Sequence, residues 1–317
     1  MRIIQVTPSG QASKSGNRTT ANRWARIFRS LGHSVSTITD YDGRPADMMI
    51  AIHAWRSARA IERFKALYPE KPLVVCLAGT DINEFIHTHP KPTLRSMELA
   101  DAMVCLHNLV KDITPISLQS KLHVIFQSAK PLTGPRRLSG RNFNICVVSH
   151  LREIKDPMRT ALAVRTLPNQ SKIRVTHLGV AHGGRSAARA IREMKQNPRY
   201  VWKGEVAGWQ VRQELKHSHL MVISSRAEGG ANVISEAVVA GVPILASEIE
   251  GNIGLLGNTY SGYYPMGDTN ALQYLMLKAE ASRVFVEKLE AQCQALSSRF
   301  TIEKEKDSWH KLIAKLT

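Results

Sequence analysis

No Asp or Glu precedes Asp40, yet Arg2, Lys14, Arg18, Arg23, Arg26 and Arg29 all do. Over the 317 residues, 43 Lys and Arg stand against 26 Asp and Glu, a net charge of +17. Such an excess suits nucleic acid, an anionic membrane surface or a polyanionic small substrate. Aromatic residues make up only 6% of the chain. No RNA-recognition, zinc-finger or interleaved basic–aromatic segment appears, so nucleic acid is not the expected partner. Apolar runs such as Met48 to Ala54 and Leu73 to Ala78 are strand-sized, too short to span a bilayer. The N-terminus, Met1-Arg2-Ile3-Ile4-Gln5-Val6, enters a strand pattern directly, without the charged, apolar and small-residue zones of a signal peptide. The four cysteines form no C-x-x-C pair; Cys76, Cys105 and Cys146 lie in apolar strand runs and Cys293 in a helix pattern. Neither a disulfide framework nor a zinc site is suggested, and a cytoplasmic location is expected. His87-x-His89 and His217-x-His219 each lack two further ligands at a recognisable spacing. A dinucleotide G-x-G-x-x-G, a P-loop and a G-x-S-x-G are absent as well.

What is present is an alternation of strands and helices. Strand patterns fall at Arg2 to Thr7, Ser34 to Thr39, Asp47 to Ala54, Leu73 to Ala78, Ala102 to Leu106 and His123 to Phe126. Between them, Thr19 to Leu31 and Arg56 to Leu67 read as amphipathic helices. A Pro-, Gly- and charge-rich break, Lys130 to Arg137, interrupts the series. It resumes with strands at Phe143 to Ser149, Ile173 to Leu178, Tyr200 to Trp202, Leu220 to Ser224 and Pro243 to Ala246, and helices near Met158 to Leu167, Ala187 to Lys195 and Val211 to His217. From Asp268 to Leu316 the pattern is helical. This predicts two α/β units with doubly wound parallel sheets: an N-terminal domain over 1–130, a linker at 131–142, a C-terminal domain over 143–300 and a final helix at 301–317 that could pack back on the first domain. Ligands of such sheets sit outside the carboxyl ends of the strands.

Two loops at such ends carry the chemistry. Ser224 to Glu236 runs from a strand through a Gly-containing turn into a helix, with Glu228 and Glu236 eight positions apart. Amides at a helix N-terminus suit a phosphate, and a carboxylate one turn on can accept from hydroxyls. The spacing alone equally allows an ordinary βα turn with a solvated Glu. Ser149-His150-Leu151-Arg152-Glu153-Ile154-Lys155-Asp156-Pro157 places three basic residues between a strand and a helix. They could clamp a diphosphate, or form a plain basic loop.

Together, Glu228-x7-Glu236, the basic loop ending in Lys155 and the strand Gly241-Val242-Pro243-Ile244-Leu245-Ala246 resemble glycosyltransferases of the GT-B fold, family-4 type. Lys203-Gly204-Glu205-Val206 resembles their nucleobase-binding turn, and Ala78-Gly79-Thr80-Asp81 their N-domain segment. Ser15 to Thr19, Ile52-His53-Ala54, His150-Leu151-Arg152 and Gly251 to Gly257 are similar, more narrowly, to the selenosugar synthases of selenoneine biosynthesis. The resemblance implies two Rossmann-like domains with a cleft between them. It also implies transfer of the sugar of UDP-N-acetylglucosamine or UDP-glucose to selenophosphate, with no cofactor and no metal. Asp40-Tyr41-Asp42 has the D-x-D spacing of metal-dependent glycosyltransferases of another fold, but it sits in a turn ending at Gly43.

Carried over, the resemblance gives Glu236 the ribose hydroxyls, and Glu228, Gly229, Gly230, Ala231, Asn232 and Val233 the donor sugar and phosphate. Glu205 and Val206 frame uracil, while Lys155 and Arg152 neutralise departing UDP. Most family-4 enzymes have Arg where His150 stands, so Arg152 becomes a second candidate for the diphosphate, and His150 a candidate general acid or protonated phosphate ligand. An anionic acceptor needs cations and amides. Gly16, Asn17, Arg18, Thr19, Thr20 and Arg23 at a helix start are the candidates, with His53, Arg56 and Thr80 past later strand ends. His53 is also a candidate for catalysis. Asp81 reads either as a helix cap or as a ligand. A lipid or polysaccharide acceptor at a membrane surface is the alternative, although membrane association is not expected. The remaining alternative is a non-enzymatic nucleic-acid binder.

Overall fold

The computed structural model describes residues 1–13 and 15–317. Lys14, one of the early cations, lies outside them. Two compact units emerge. The first comprises Met1–Gln127, Glu228–Gly230 and Ile302–Thr317, and the second Ser128–Ala227 and Ala231–Thr301.

In the first unit the order is β1 (Arg2–Val6), α1 (Gly16–Ser30), β2 (Ser34–Ile38), β3 (Met48–Ile52), α2 (Ala58–Leu67) and β4 (Leu73–Cys76). A π-helical turn (Asp81–Phe85), α3 (Ile86–Thr88), α4 (Pro90–Leu99), β5 (Ala102–Cys105), α5 (Val110–Ile113) and β6 (Leu122–Val124) follow. The sheet is parallel throughout, ordered β2-β1-β3-β4-β5-β6. All five residues of β3 are buried, as a central strand covered on both faces requires. One face, with Ile3, Ile50, Ile52, Val74 and Cys76, packs on the α1 stripe Ala21, Trp24 and Phe28. The other, with Ile4, Met49, Ala51 and Val75, packs on Ile61, Phe64 and Met97.

The second unit contains β7 (Phe143–Val148), α6 (Arg159–Arg165), β8 (Ile173–Leu178), α7 (Gly184–Gln196), β9 (Tyr200–Trp202), α8 (Gly208–His217) and β10 (Leu220–Ile223). Then come α9 (Asn232–Val239), β11 (Ile244–Ser247), α10 (Glu250–Leu256), β12 (Tyr263–Tyr264), α11 (Thr269–Ala281) and α12 (Arg283–Leu296). Its parallel sheet is ordered β12-β11-β10-β7-β8-β9. The winding reverses between β7 and β10, which is where an open α/β sheet offers a ligand crevice. In the Pro- and Gly-rich segment before β7, the Arg136 guanidinium is pinned by the Gly241 and Ser218 carbonyls and by Glu290, each at 2.7 Å.

Helix α13 (Ile302–Leu316) belongs to the first unit. Trp309 lies edge-on to Trp24 (4.7 Å between ring centroids) and Phe28 (4.9 Å), and Trp24 Nε1 donates to buried Glu305 at 2.8 Å. Truncating such a buried indole costs about 3–5 kcal/mol.

The alternation of strands and helices stands as predicted, with local differences. Helix α1 starts at Gly16 rather than Thr19, because the Ser15 hydroxyl caps it by accepting from Arg18 N. The helical run over 268–316 is three helices: Asp268 caps α11 and Ser282 caps α12, each restarting the chain, and a 3₁₀ turn at Ser297–Phe300 precedes α13. Neither α10, where Gly251 and Gly254 lower helix propensity, nor the π-helical turn was legible in the pattern.

Candidate active site

In the second unit, the loops that leave β7, β8, β9 and β10 are laced to one another. The Ser224 hydroxyl donates to the carbonyls of Lys155 (3.2 Å) and Asp156 (2.9 Å), and Arg226 N donates to Ile154 O (2.8 Å). The loop after β10 therefore fixes the backbone that presents Lys155. Asp156 takes a left-handed conformation, φ 41°, and its carboxylate accepts from Arg159 Nε at 2.8 Å. Leu151 bridges to Ala181, and Gly179 N donates to Gly204 O, tying the loops after β8 and β9 into the same edge. Gly179 sits at φ 150°, and a Cβ there would fall 1.9 Å from Ser149 O, so only glycine fits.

His150, Arg152, Lys155, Glu205, Val206, Asn232, Val233 and Glu236 thus come to one end of one sheet, across the reversal between β7 and β10. Asn232 and Val233 open α9, preceded by buried Ala231, and Glu236 is one turn further on. Glu228, Gly229 and Gly230 are grouped with the first unit. His150 is held below its ordinary 6.5, first by burial and then by His182, Lys155 and Arg152, with Glu205 opposing. It is neutral at pH 7, and its Nδ1 has no hydrogen-bond partner among the described residues. A bound diphosphate would raise that pKa and give His150 the proton a phosphate ligand needs. The His182 ring stands perpendicular to it, 5.1 Å away. Sequence reasoning passed over His182; its position just past β8, before Gly183-Gly184, was the available signal.

The carboxyl edge of the first sheet is arranged otherwise. Gly16, Asn17, Arg18, Thr19 and Thr20 form the first turn and a half of α1. Arg18 is only 7% exposed, and its Nε has no partner among the described residues. A buried guanidinium at the positive end of a helix is electrostatically costly without an anion. The Thr20 hydroxyl accepts from Gln127 Nε2 at 2.7 Å, and Arg23 lies 4.0 Å from Glu305. His53 is buried with φ 80°, an uncommon conformation for a non-glycine residue. Its Nδ1 accepts from Arg56 N (3.2 Å), which puts the proton on Nε2, facing the Thr80 hydroxyl at 2.9 Å. Burial lowers its pKa. With both ring nitrogens engaged, His53 orients Thr80 rather than receiving a proton. Asp81 is settled too: its carboxylate accepts four backbone N–H groups, from Ala54, Ala78, Gly79 and Ile82, and so ties together the ends of two strands. Trp55 and Phe85 stack at 3.9 Å, with His89 and the Arg56 guanidinium beside them, a cluster the sequence pattern did not reveal. No group of three or more metal-ligating side chains occurs among the described residues.

Residues 135–291 match the family model of glycosyl transferases group 1. That stretch resembles a group 1 glycosyltransferase domain. A curated relative, glycosyltransferase 1 domain-containing protein 1 of Xenopus tropicalis, is 22% identical over 95% of both chains. Among solved structures, HepE of Anabaena in complex with UDP superposes with a TM-score of 0.81 at 16% identity, covering 99% of this chain and 100% of that one. Sucrose-phosphate synthase from Thermosynechococcus elongatus gives 0.83 at 12% identity, over 99% and 98%. HepE has also been solved with UDP-glucose. The fold of this glycosyltransferase is GT-B: two Rossmann-like units, each built on a six-stranded parallel sheet.

Proposed function

We propose that this glycosyltransferase takes its sugar from a UDP-sugar, UDP-N-acetylglucosamine or UDP-glucose, and transfers it to selenophosphate, forming a C–Se bond. UDP and UDP-glucose in the HepE structures support the donor. The uracil lies against Glu205 and Val206, the ribose hydroxyls against Glu236, and the diphosphate against the start of α9 with Lys155 and Arg152. Selenium attacks C1 of the sugar, the bond from C1 to the UDP oxygen breaks, and the electron pair leaves on the β-phosphate. Lys155 and Arg152 stabilise that charge, and His150 takes up a proton as the charge arrives. Selenium in selenophosphate carries no proton to be removed, so the acceptor side needs cations and amides but no base. Water then cleaves the P–Se bond, releasing phosphate and the selenosugar.

One observation carries the anionic acceptor: Arg18, buried at the start of α1 with its Nε unpartnered. The engagement of both His53 nitrogens agrees, since a sugar hydroxyl acceptor would call for a base there. The test is incubation with UDP-N-acetylglucosamine, with and without selenophosphate, read by mass spectrometry. A selenium-bearing sugar formed only with selenophosphate is the expected product. UDP release indifferent to selenophosphate would overturn the acceptor while keeping the donor. No turnover with any sugar nucleotide, together with salt-sensitive RNA binding, would overturn both.

A further inference from the structure

The turn that carries Lys155 is braced by an ion pair that the proposed reaction does not itself use. Asp156, the next residue, stands at φ 41° and ψ 55°, in the left-handed region. Glycine is the default there, with asparagine or aspartate the usual substitute. A glycine would have served the turn, so the carboxylate calls for a reason of its own. It accepts from Arg159 Nε at 2.8 Å, and the two side chains are only 13% and 16% exposed. Arg159 Nη1 reaches on to the Thr269 hydroxyl at 2.6 Å. Thr269 opens α11, but the capping of that helix falls to Asp268, which accepts from the Asn270 and Ala271 amides. From the other side the Ser224 hydroxyl donates to the carbonyls of Lys155 and Asp156. The turn is thus tied through a side chain to the start of α11 and through its backbone to the loop after β10. An unpaired acid next to Lys155 would also oppose that residue's attraction for an anion; the pairing with Arg159 offsets it.

We propose that Asp156, Arg159 and Thr269 are positioning residues for Lys155: the chain of contacts from carboxylate to guanidinium to hydroxyl holds the turn in the conformation that presents the Lys155 ammonium to the donor's diphosphate. The inference rests on the donor reading above and names the residues that give Lys155 a fixed place. An exposed ion pair three residues apart contributes little. This one is mostly out of solvent, and its planar guanidinium is gripped at a second point, so it holds the backbone rather than following it. A charged group displaced by about 1 Å from its working position loses much of its effect. The role is independent of the acceptor's identity, since only the donor's phosphates meet Lys155.

The test is calorimetric titration of the full chain with UDP, which needs no acceptor, with uridine measured by its displacement of UDP. D156G keeps the left-handed turn without strain and removes only the carboxylate. It should weaken UDP about tenfold, the scale of a hydrogen bond to a charged group, and leave uridine unchanged, because uridine has no phosphate for Lys155 to meet. T269V should weaken UDP about threefold, and T269S should restore it. In a K155A background, D156G should have no further effect on UDP. A general disturbance of the site would instead lower uridine affinity as well and would persist without Lys155. Full UDP affinity in D156G, equal losses for UDP and uridine, or independent losses adding in D156G/K155A would each overturn the proposal. UDP binding that ignores K155A itself would overturn the donor reading at Lys155, a separate failure that the single variant reveals.

Discussion

The two sheets have the same number of strands and the same parallel sense, yet their carboxyl edges spend polar residues differently. At the second edge, backbone and small hydroxyls hold the loops: Ser224 grips the Lys155 loop and the glycines after β8 and β9 let backbones touch. That edge presents its charged side chains, Lys155 among them, on loops whose backbone other groups hold. At the first edge, the charged and titratable side chains hold the loops themselves. Asp81 gathers four amides and His53 bridges Arg56 to Thr80. A carboxylate or imidazole in a strand-end motif is therefore as readily a strut as a reagent; the hydrogen bonds it already makes decide which.

Variants can break this contrast. The largest effect is expected from Lys155→Ala, which should lower kcat/KM for the UDP-sugar by roughly 100- to 1,000-fold, the usual loss when a group stabilising developing charge is removed. Secondary structure should be unchanged by circular dichroism. Asp81→Ala should do the reverse. With the amides of Ala54, Ala78 and Gly79 orphaned it should cost the first unit about 3 kcal/mol in thermal unfolding, and UDP affinity by calorimetry should stay the same. If Asp81→Ala lost donor affinity, the two edges would not be separable. Glu236→Ala should weaken UDP binding by about 2 kcal/mol, near thirtyfold, without altering the melting temperature.

The smallest effect is a pH dependence. The pKa of His150 is depressed in the free protein, so between that value and 6.5 the unfolded chain binds more protons than the folded one, and His150 withdraws stability as the pH falls through that window. Donor binding has the opposite sign. In the proposed donor complex a diphosphate beside His150 would raise its pKa, so binding would take up a proton and should tighten, by less than about tenfold, as the pH drops from about 8 to 6. His150→Gln should flatten that slope in calorimetry with two buffers of different ionisation enthalpy. A slope that survives the substitution would move the titrating group elsewhere, with His182 the first place to look.

Much of the fold could be read because parallel strands buried on both faces are continuous apolar runs, as at Met48 to Ile52. The proposed donor edge could be named from the sequence because it is a set of consecutive residues: Glu228-x7-Glu236 and the loop to Lys155 are motifs along the chain. The first edge is a set of distant residues joined in space. Gln127 reaches Thr20 and Glu305 approaches Arg23, pairings that no local pattern records. Arg18 could be named as a cation at a helix start, but that it is buried with no ion pair among the described residues is a property of the packed unit. Asp81 shows the limit well, since a cap and a ligand have the same letters.

The place of α13 in the chain bears on how this enzyme is made. Trp309 fills the space between Trp24 and Phe28, but it follows the whole second unit in sequence. Chains emerge from the ribosome N-terminus first, and domains tend to fold as they appear. Here the first unit must wait, its Trp24 and Phe28 uncovered, until the second has been translated, so of the two units the one translated earlier completes its core later.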